Sequence, residues 1–468
     1  MTNATFTFRS AMPVPADELY AWHGRPLAFQ RLQPPWEHID ITSTSGSFGT
    51  DGYRVEFRTS FLGPIKGTWV ADAYDFQPGQ HFQDRQVHGP FAYWNHRHNF
   101  IPDGPVGSIL EDSIEYRLPL GMMGRLFGAG MVRRKLQSVF AYRHALTASD
   151  LKRHSLYRDR PRLTIAVTGS RGLVGSELVP FLTTGGHRVV RLVSGKGSPR
   201  HDDGTKWVSW EPSARLDPQV LDGVDAVIHL AGDNVAEGRW TAAKKKRIED
   251  SRTIPTRHLA EAIAALPADR RPRTFVCASA VGFYGNRGDE PLTEASAPGS
   301  GFFPHVCKLW EEAAAPARDA GVRTSHLRIG VVLTPRGAAL GKQLLAFESG
   351  AGAVLGSGRQ WTSWITIGDL VGALHHCLMN GNVTGPVNGT APHPVTNKEF
   401  TKTLGKVLHR PAVLWLPAPA LRLMFGELAD DALLASMKVL PNRLLETGFA
   451  FDHSELLPAL DFLLGRRV

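Results

Sequence analysis

Two rhythms of apolar residues divide this chain. Up to about residue 150 the period is two: Val55 and Phe57 alternate with charges, and the stretches Thr68 to Phe76, Phe91 to Phe100 and Ile109 to Leu118 read as half-buried strands. Clusters such as Pro102-Asp103-Gly104-Pro105 separate them as hairpin turns. From Met122 to Leu151 the period lengthens, because Leu126, Val132, Leu136, Val139, Phe140 and Tyr142 form a stripe close to the helical repeat. Antiparallel strands closed by one long helix are therefore expected over 1–152.

The polar segment Lys152 to Arg162 reads as a linker, and the apolar strand Leu163 to Val167 opens a second unit. There the strand-like runs Arg188 to Val193, Ala226 to Leu230, Thr274 to Ala278 and Thr324 to Leu333 alternate with helical stretches, which predicts a parallel, doubly wound sheet over 163–411. A last section, 412–468, starts at Leu416-Pro417-Ala418-Pro419 and is helical over Leu421 to Leu434 and Leu456 to Leu464. It is too short to stand alone and is expected to pack on the second unit.

Composition agrees with several globular units: 468 residues, 42% apolar and 21% charged. The net charge of +9 is scattered, and its only runs, Lys244-Lys245-Lys246-Arg247 and Arg133-Arg134-Lys135, fall on solvated helix faces without a groove-reading motif, so no nucleic-acid partner is expected. The N-terminus shows alternating Phe6 and Phe8 rather than a basic patch and a long apolar run, so a cytoplasmic protein without a membrane span is expected. Cys277, Cys307 and Cys377 are too dispersed for a disulfide framework or zinc cluster.

The strongest chemical signal is Thr168-Gly169-Ser170-Arg171-Gly172-Leu173-Val174-Gly175, between an apolar strand and the helical stretch Ser176 to Leu182. A strand feeding a helix through such a turn gathers backbone N–H groups and the positive end of a helix dipole, where a pyrophosphate binds. Gly169 permits the turn, Gly172 lets the backbone approach the phosphate, and Gly175 lets the helix pack closely. After the second strand an NAD site would carry Asp or Glu for the ribose hydroxyls. This chain has Ser194-Gly195-Lys196, with Arg171, Arg191 and Arg200 nearby. Cations without a carboxylate suit a 2′-phosphate, so NADP(H) is expected over NAD.

That turn, with His229-Leu230-Ala231-Gly232 at a later strand end, resembles the extended short-chain dehydrogenase/reductases. Ser279-Ala280-Val281-Gly282-Phe283-Tyr284-Gly285, Leu327-Arg328-Ile329-Gly330-Val331-Val332-Leu333, Gly356-Ser357-Gly358-Arg359-Gln360-Trp361 and Trp364-Ile365 before Asp369-Leu370 narrow the match, as do Pro441-Asn442-Arg443-Leu444 and Gly448-Phe449-Ala450-Phe451. Together they resemble the epimerase-like family of atypical members, often called nucleoside-diphosphate-sugar epimerases. The resemblance implies a Rossmann domain with NADP at Gly169 through Gly175 and Leu230-Ala231-Gly232, and with Ser279, Gly330 and Val331 beside the nicotinamide. The last section matches that family's C-terminal domain. The N-terminal layout, with Trp94-Asn95-His96-Arg97-His98-Asn99-Phe100, resembles the helix-grip domains of the polyketide cyclase and lipid-transfer superfamily, which enclose an apolar cavity.

The resemblance does not carry the chemistry with it. Extended reductases use a Tyr, a Lys four residues later and a Ser or Thr for proton transfer. Placing Glu311 at the acidic position after the Lys puts Phe303 at the Tyr position and Cys307 at the Lys position, and placing Tyr284-Gly285 puts Ala280 at the Ser position. The remaining candidates are Tyr284, Ser279 and Lys308, with Arg359 to neutralise developing charge. Tyr284, Arg359, Trp361 and Trp364 are candidates for the substrate pocket, against the alternatives of a packing tyrosine and two core tryptophans.

On the predicted strands Trp94, His96, His98 and Phe100 share one face, as do Leu110, Asp112, Ile114 and Tyr116. If these faces point inward, His96, His98 and Asp112 enter the cavity. Such a cluster suits a metal site, an acid/base set or a satisfied hydrogen-bond network; no metal is expected. Two functions follow as expectations. One is an NADP(H)-dependent oxidoreductase or epimerase-like enzyme of unorthodox mechanism, acting on a small carbonyl or hydroxyl compound. The other is a non-catalytic NADP(H) sensor coupled to a hydrophobic ligand in the N-terminal cavity.

Overall fold

Two sheets, one antiparallel and one parallel, organise the chain in the computed structural model, which describes residues 3–37, 39–60, 66–195, 203–238 and 240–466. The first is antiparallel, with strands β1 (Ala4–Met12), β2 (Asp40–Ser45), β3 (Tyr53–Thr59), β4 (Gly67–Gln77), β5 (His81–His88), β6 (Tyr93–Asp103) and β7 (Gly107–Arg117) in the order β1-β7-β6-β5-β4-β3-β2. Helices α1 (Ala16–Gly24) and α2 (Ala28–Arg31) follow β1, and α3 (Gly121–Ser155) follows β7. The alternation seen in the sequence decides which face is covered: Trp69, Trp94, Ile114 and Tyr116 point toward α3 and pack against its Val132, Leu136, Val139 and Phe140.

The second sheet is parallel. Strands β8 (Thr164–Thr168), β9 (Arg188–Val193), β10 (Lys206–Ser209), β11 (Ala226–His229) and β12 (Thr274–Ala280) and two later strands, Arg323–Ile329 and Gly385–Gly389, run in the order β10-β9-β8-β11-β12, Arg323–Ile329, Gly385–Gly389. Helices α4 (Gly175–Thr184), α5 (Ala242–Ala265), α6 (Phe302–Ala313) and a later helix, Ile367–Met379, connect the strands, and apolar cores form on both faces of the sheet. The strand order reverses between β8 and β11, which makes the crevice at their carboxyl ends the expected ligand site of such a fold. The predicted strand Thr324 to Leu333 is two strands, because Gly330 breaks it and Val331–Leu333 pairs separately with Trp364–Thr366. The closing section is tied to the second unit by Lys438–Val439, which pairs with Pro291–Leu292, and by packing of the helix Leu456–Leu463 on the helix Asn397–Leu408.

The segment read as a linker is not loose. Helix α3 continues to Ser155, the Tyr157 hydroxyl meets His376 Nδ1 at 2.9 Å, and Arg160 bonds the Met379 carbonyl. Buried ion pairs fasten the two units as well. Arg31 of α2 binds Asp150 of α3 through two hydrogen bonds and reaches Glu177 of α4, while Arg153 of α3 binds Asp369 and Asp452. Removing one side of such a pair leaves a buried charge without its counterion, which costs more than the pair itself contributes. Arg153→Met is expected to lower stability by about 3–5 kcal/mol in chemical denaturation, because Asp369 stays buried without its cation; an unchanged denaturation midpoint would show that the interface does not depend on this pair.

Candidate functional site

The glycine turn sits where β8 meets α4, and its shape follows from crowding. Gly169 has φ +66, and a Cβ there would lie 2.7 Å from the carbonyl carbon of Leu230. At Gly175 a Cβ would lie 2.2 Å from the Gly169 oxygen. Both glycines therefore serve close backbone approach, whereas Gly172 is exposed and closes the turn by donating its N–H to the Gly169 carbonyl at 2.9 Å. Thr168 ties the turn to the end of β11: its hydroxyl accepts from the amides of Leu230 and Ala231 at 3.1 and 3.3 Å and lies 2.7 Å from His229 Nδ1. With two amides donating to it, the hydroxyl gives its proton to His229. Burial agrees with that tautomer, holding the imidazole neutral with its pKa down at about 3.

Two observations fit this turn to a phosphate. No side chain caps the N-terminus of α4, and the Ser170 hydroxyl is buried without a hydrogen-bond partner. Leu173 and Val174 are half-buried in the same turn, while Ser194 is exposed at the end of β9. Gly232 follows β11, and Gly330 and Val331 follow Arg323–Ile329, so the carboxyl ends of the central strands carry the residues expected to flank a dinucleotide.

At the end of β9 the guanidinium groups of Arg171 and Arg191 lie 5.1 and 4.9 Å from the centroid of the Trp207 ring. A carboxylate does reach this corner: Asp203 binds Arg191 at 2.8 Å, and Arg191 Nε also donates to Thr205. The carboxylate-free reading of the sequence thus ends at Asp203, which pairs with Arg191; Arg171 is an exposed residue of the turn. Lys196 and Arg200 lie outside the described residues.

At the carboxyl end of β12 the candidate catalytic groups are already committed to one another. Ser279 donates to Glu311 at 2.8 Å, Glu311 takes two hydrogen bonds from Arg328 at 2.8 Å each, and Arg328 donates to the Tyr284 oxygen at 3.0 Å. Tyr284 in turn donates to Asn388 at 2.7 Å, is fully buried, and has its pKa raised by that burial. Tyr284 is thus buried with a satisfied hydroxyl. Phe303 and Cys307 of α6 both lie against Gly282; Phe303 packs on Trp240, and the buried Cys307 thiol is pushed up to about 12. Lys308 points into solvent toward Glu312.

The substrate-loop candidates separate. Trp364 is wholly buried, with its indole N–H on the His393 carbonyl, so it anchors the loop instead of lining a pocket. Trp361 is half-buried, donates to Asp289 at 2.7 Å and carries Lys438 4.4 Å from its ring centroid, while Arg359 is exposed.

The first unit encloses a cavity of about 620 Å³ between sheet and helix, walled by Val55, Phe57, Trp69, Trp94 and Phe140. His96 and His98 face into it, and Asp112 joins them at 2.8 Å from each. The sequence reading missed Asp84, His144, His23 and Arg143. Asp84 lies 3.3 Å from His96 and 3.1 Å from His98, and His144 reaches Asp112 at 2.6 Å. Both ring nitrogens of His96 thus meet carboxylates, which only accept, so both carry protons; Asp84 and Asp112 raise its pKa to about 9 against the opposing effect of burial. Asp84, His96 and His98 also bring one ligand atom each to within 4.8 Å of one another.

A second buried trio, His154, His187 and His375, gathers at the junction of the units. There His187 Nδ1 accepts the Leu163 N–H, which leaves the proton on Nε2, buried without a hydrogen-bond partner.

The cavity also touches the second unit, since Asp203 and Gly204 line it. A Cβ at Gly204 would lie 2.6 Å from the ring of Pro26, so this loop fits closely against the first unit.

Because His96 has a folded pKa above its ordinary 6.5, its contribution is complete below about 6.5 and fades as pH rises through about 9. The urea midpoint is expected to fall between about pH 7 and pH 10, and His96→Gln is expected to flatten that fall. A midpoint just as pH-dependent in the variant would remove His96 from the account.

Known proteins share these features. The NAD dependent epimerase/dehydratase family matches residues 165–388, and a domain of unknown function, DUF1731, matches 416–463. An epimerase family protein of Mycobacterium bovis is 42% identical over 303 residues, which is 64% of this chain and 98% of that protein. Human SDR39U1, also called an epimerase family protein, is 36% identical over 64% of this chain and 98% of its own length. A crystal structure of human SDR39U1 with NADPH has 34% identity and a TM-score of 0.58, covering 64% of this chain and 99% of that one. A Corynebacterium glutamicum structure described as a nucleoside-diphosphate sugar epimerase has 33% identity and a TM-score of 0.78, covering 98% of this chain and 90% of that one, and so spans both units. With the glycine turn, the strand order and relatives matched over nearly their whole length, the chain belongs to the epimerase family of nucleotide-binding Rossmann proteins.

Proposed function

We propose that this protein binds NADP(H) and acts as an epimerase-like oxidoreductase of atypical mechanism on a small carbonyl or hydroxyl compound. The observation that carries the cofactor choice is the Arg171 cation beside Trp207 at the edge of the glycine turn. An aromatic face suits an adenine and a guanidinium suits the 2′-phosphate next to it. The relative bound to NADPH supports the same choice. In this reading the turn from Gly169 to Gly175 holds the pyrophosphate, Leu230, Ala231 and Gly232 flank the ribose, and Ser279, Gly330 and Val331 flank the nicotinamide. When bound, the cofactor supplies or accepts a hydride at the nicotinamide ring. In the same reading Arg359 and Trp361, which lie outside the buried network, meet the substrate.

A second reading rests on a specific observation, the commitment of Ser279 and Tyr284 to the Glu311–Arg328 pair, and it agrees with the sequence alignment that puts Phe303 and Cys307 at the proton-relay positions. It makes the chain a non-catalytic NADP(H) sensor whose cofactor end communicates through Asp203 and Gly204 with an apolar ligand in the N-terminal cavity. The resemblance of that unit to helix-grip domains and its cavity volume suit such a ligand.

Mixing the protein with NADPH and a panel of aldehydes, ketones and quinones, and following nicotinamide absorbance, separates the two. Turnover lowered at least about tenfold in Arg359→Ala supports the enzyme; NADPH binding without turnover across the panel supports the sensor. Gly175→Ala is expected to abolish NADPH binding in either case, since the added methyl cannot fit against the Gly169 oxygen. Retained affinity in that variant would contradict the assignment of the turn.

A further inference from the structure

Helix α3 begins outside the body of the protein. Its first fully buried residue is Val132 and Ala129 already packs against the core of the sheet, so about 12 Å of helix projects before that contact. The projecting part is apolar: Leu120, Met122, Met123, Leu126, Phe127 and Met131 are 53–84% exposed. At about 100° per residue these six side chains fall within one half of the helix circumference. Arg133 and Arg134 continue the same side one turn further on, also exposed. Scattered apolar residues on a surface need no explanation, but a contiguous apolar patch of this kind marks a docking face.

Charge identifies what docks. From Tyr116 to Ser149 the chain carries neither Asp nor Glu; Arg125, Arg133 and Arg134 are its exposed cations, whereas Lys135 pairs with Glu37 and Arg143 lies in the cavity wall. An apolar tip followed by a cationic band matches the order of layers met on entering an anionic bilayer, with hydrocarbon within reach of the tip and phosphate groups at the height of the arginines. A second copy of this chain would bring the same cations against one another, which is unfavourable at close range. The same helix, through Leu136, Val139, Phe140 and Arg143, forms one wall of the apolar cavity. The docking element is therefore continuous with the wall of a compartment suited to an amphiphile with an apolar body and an acidic or hydrogen-bond-accepting head.

We infer that the first three turns of α3 dock on an anionic membrane surface as a peripheral anchor. The helix does not cross the bilayer; among the described residues no helix is long and apolar enough to do so. This inference is independent of the cofactor reading, because it involves no residue of the glycine turn.

Co-sedimentation of the full chain with phosphatidylcholine vesicles, with and without about 30% phosphatidylglycerol, tests it. Binding at least about tenfold tighter to the anionic vesicles is expected, weakening as salt is raised. The double substitution Leu126→Glu/Phe127→Glu, on exposed positions, is expected to abolish it while leaving the thermal unfolding midpoint unchanged, and Arg133→Glu/Arg134→Glu is expected to remove the preference for anionic lipid. Equal or absent binding to the two vesicle types overturns the inference. So does a concentration-dependent dimer dissolved by Leu126→Glu/Phe127→Glu, which would assign the face to a second copy.

Discussion

The approach of two strand ends governs the second unit. Gly169 lies so close to Leu230 and Ala231 that a side chain would collide with their backbone, and the Thr168 hydroxyl fills the remaining space by accepting both amides. That contact fixes β8 against β11 at the point where strand order reverses, and so fixes the crevice and the uncapped start of α4. The buried, unpartnered Ser170 hydroxyl is consistent with a turn shaped around something it does not itself contain.

What surrounds the crevice is built for rigidity more than for proton transfer. Arg328 is held between Glu311 and Tyr284 and lies over the ring of Phe283 at 3.4 Å, and Ser279, Glu311, Arg328 and Tyr284 all make their hydrogen bonds within this network and to Asn388. A buried pair of this kind contributes little net stability, yet it strongly resists the loss of either partner. The chemistry proposed here therefore falls to groups outside it, or to the cofactor alone. Where the cavity meets Asp203 and Gly204, the first unit touches the same corner that receives Arg171 and Arg191, so occupancy of one compartment and of the other involves shared residues.

Much of this was legible in the sequence. The change of period near residue 120, the alternation of strands and helices after residue 163 and the glycine turn each follow from local spacing, and each matches the structure. Strand β5 escaped because His81 to His88 is almost wholly polar, with only Phe82 buried; with it escaped Asp84, the carboxylate that completes the histidine cluster. The strand Gly385–Gly389 lacks the β-branched run that signals a buried strand, holding its place through the sheet instead. Trp364 and Tyr284 show a different limit: an aromatic residue in a loop motif looks the same whether it lines a pocket or anchors the loop, and only burial of the indole and of the hydroxyl separates the two. Asp203 lay in a stretch read for its cations, and its partner Arg191 is twelve residues away in sequence.

The central claim is that the turn and its Arg171 select a 2′-phosphorylated dinucleotide. Calorimetric titration of the wild-type protein and Arg171→Ala with NADPH and with NADH tests it most directly. The account predicts that NADPH binds the wild type at least about tenfold more tightly than NADH and that Arg171→Ala removes most of that difference by weakening NADPH alone. Equal affinities for the two cofactors in the wild type, or a preference unchanged in the variant, would contradict it.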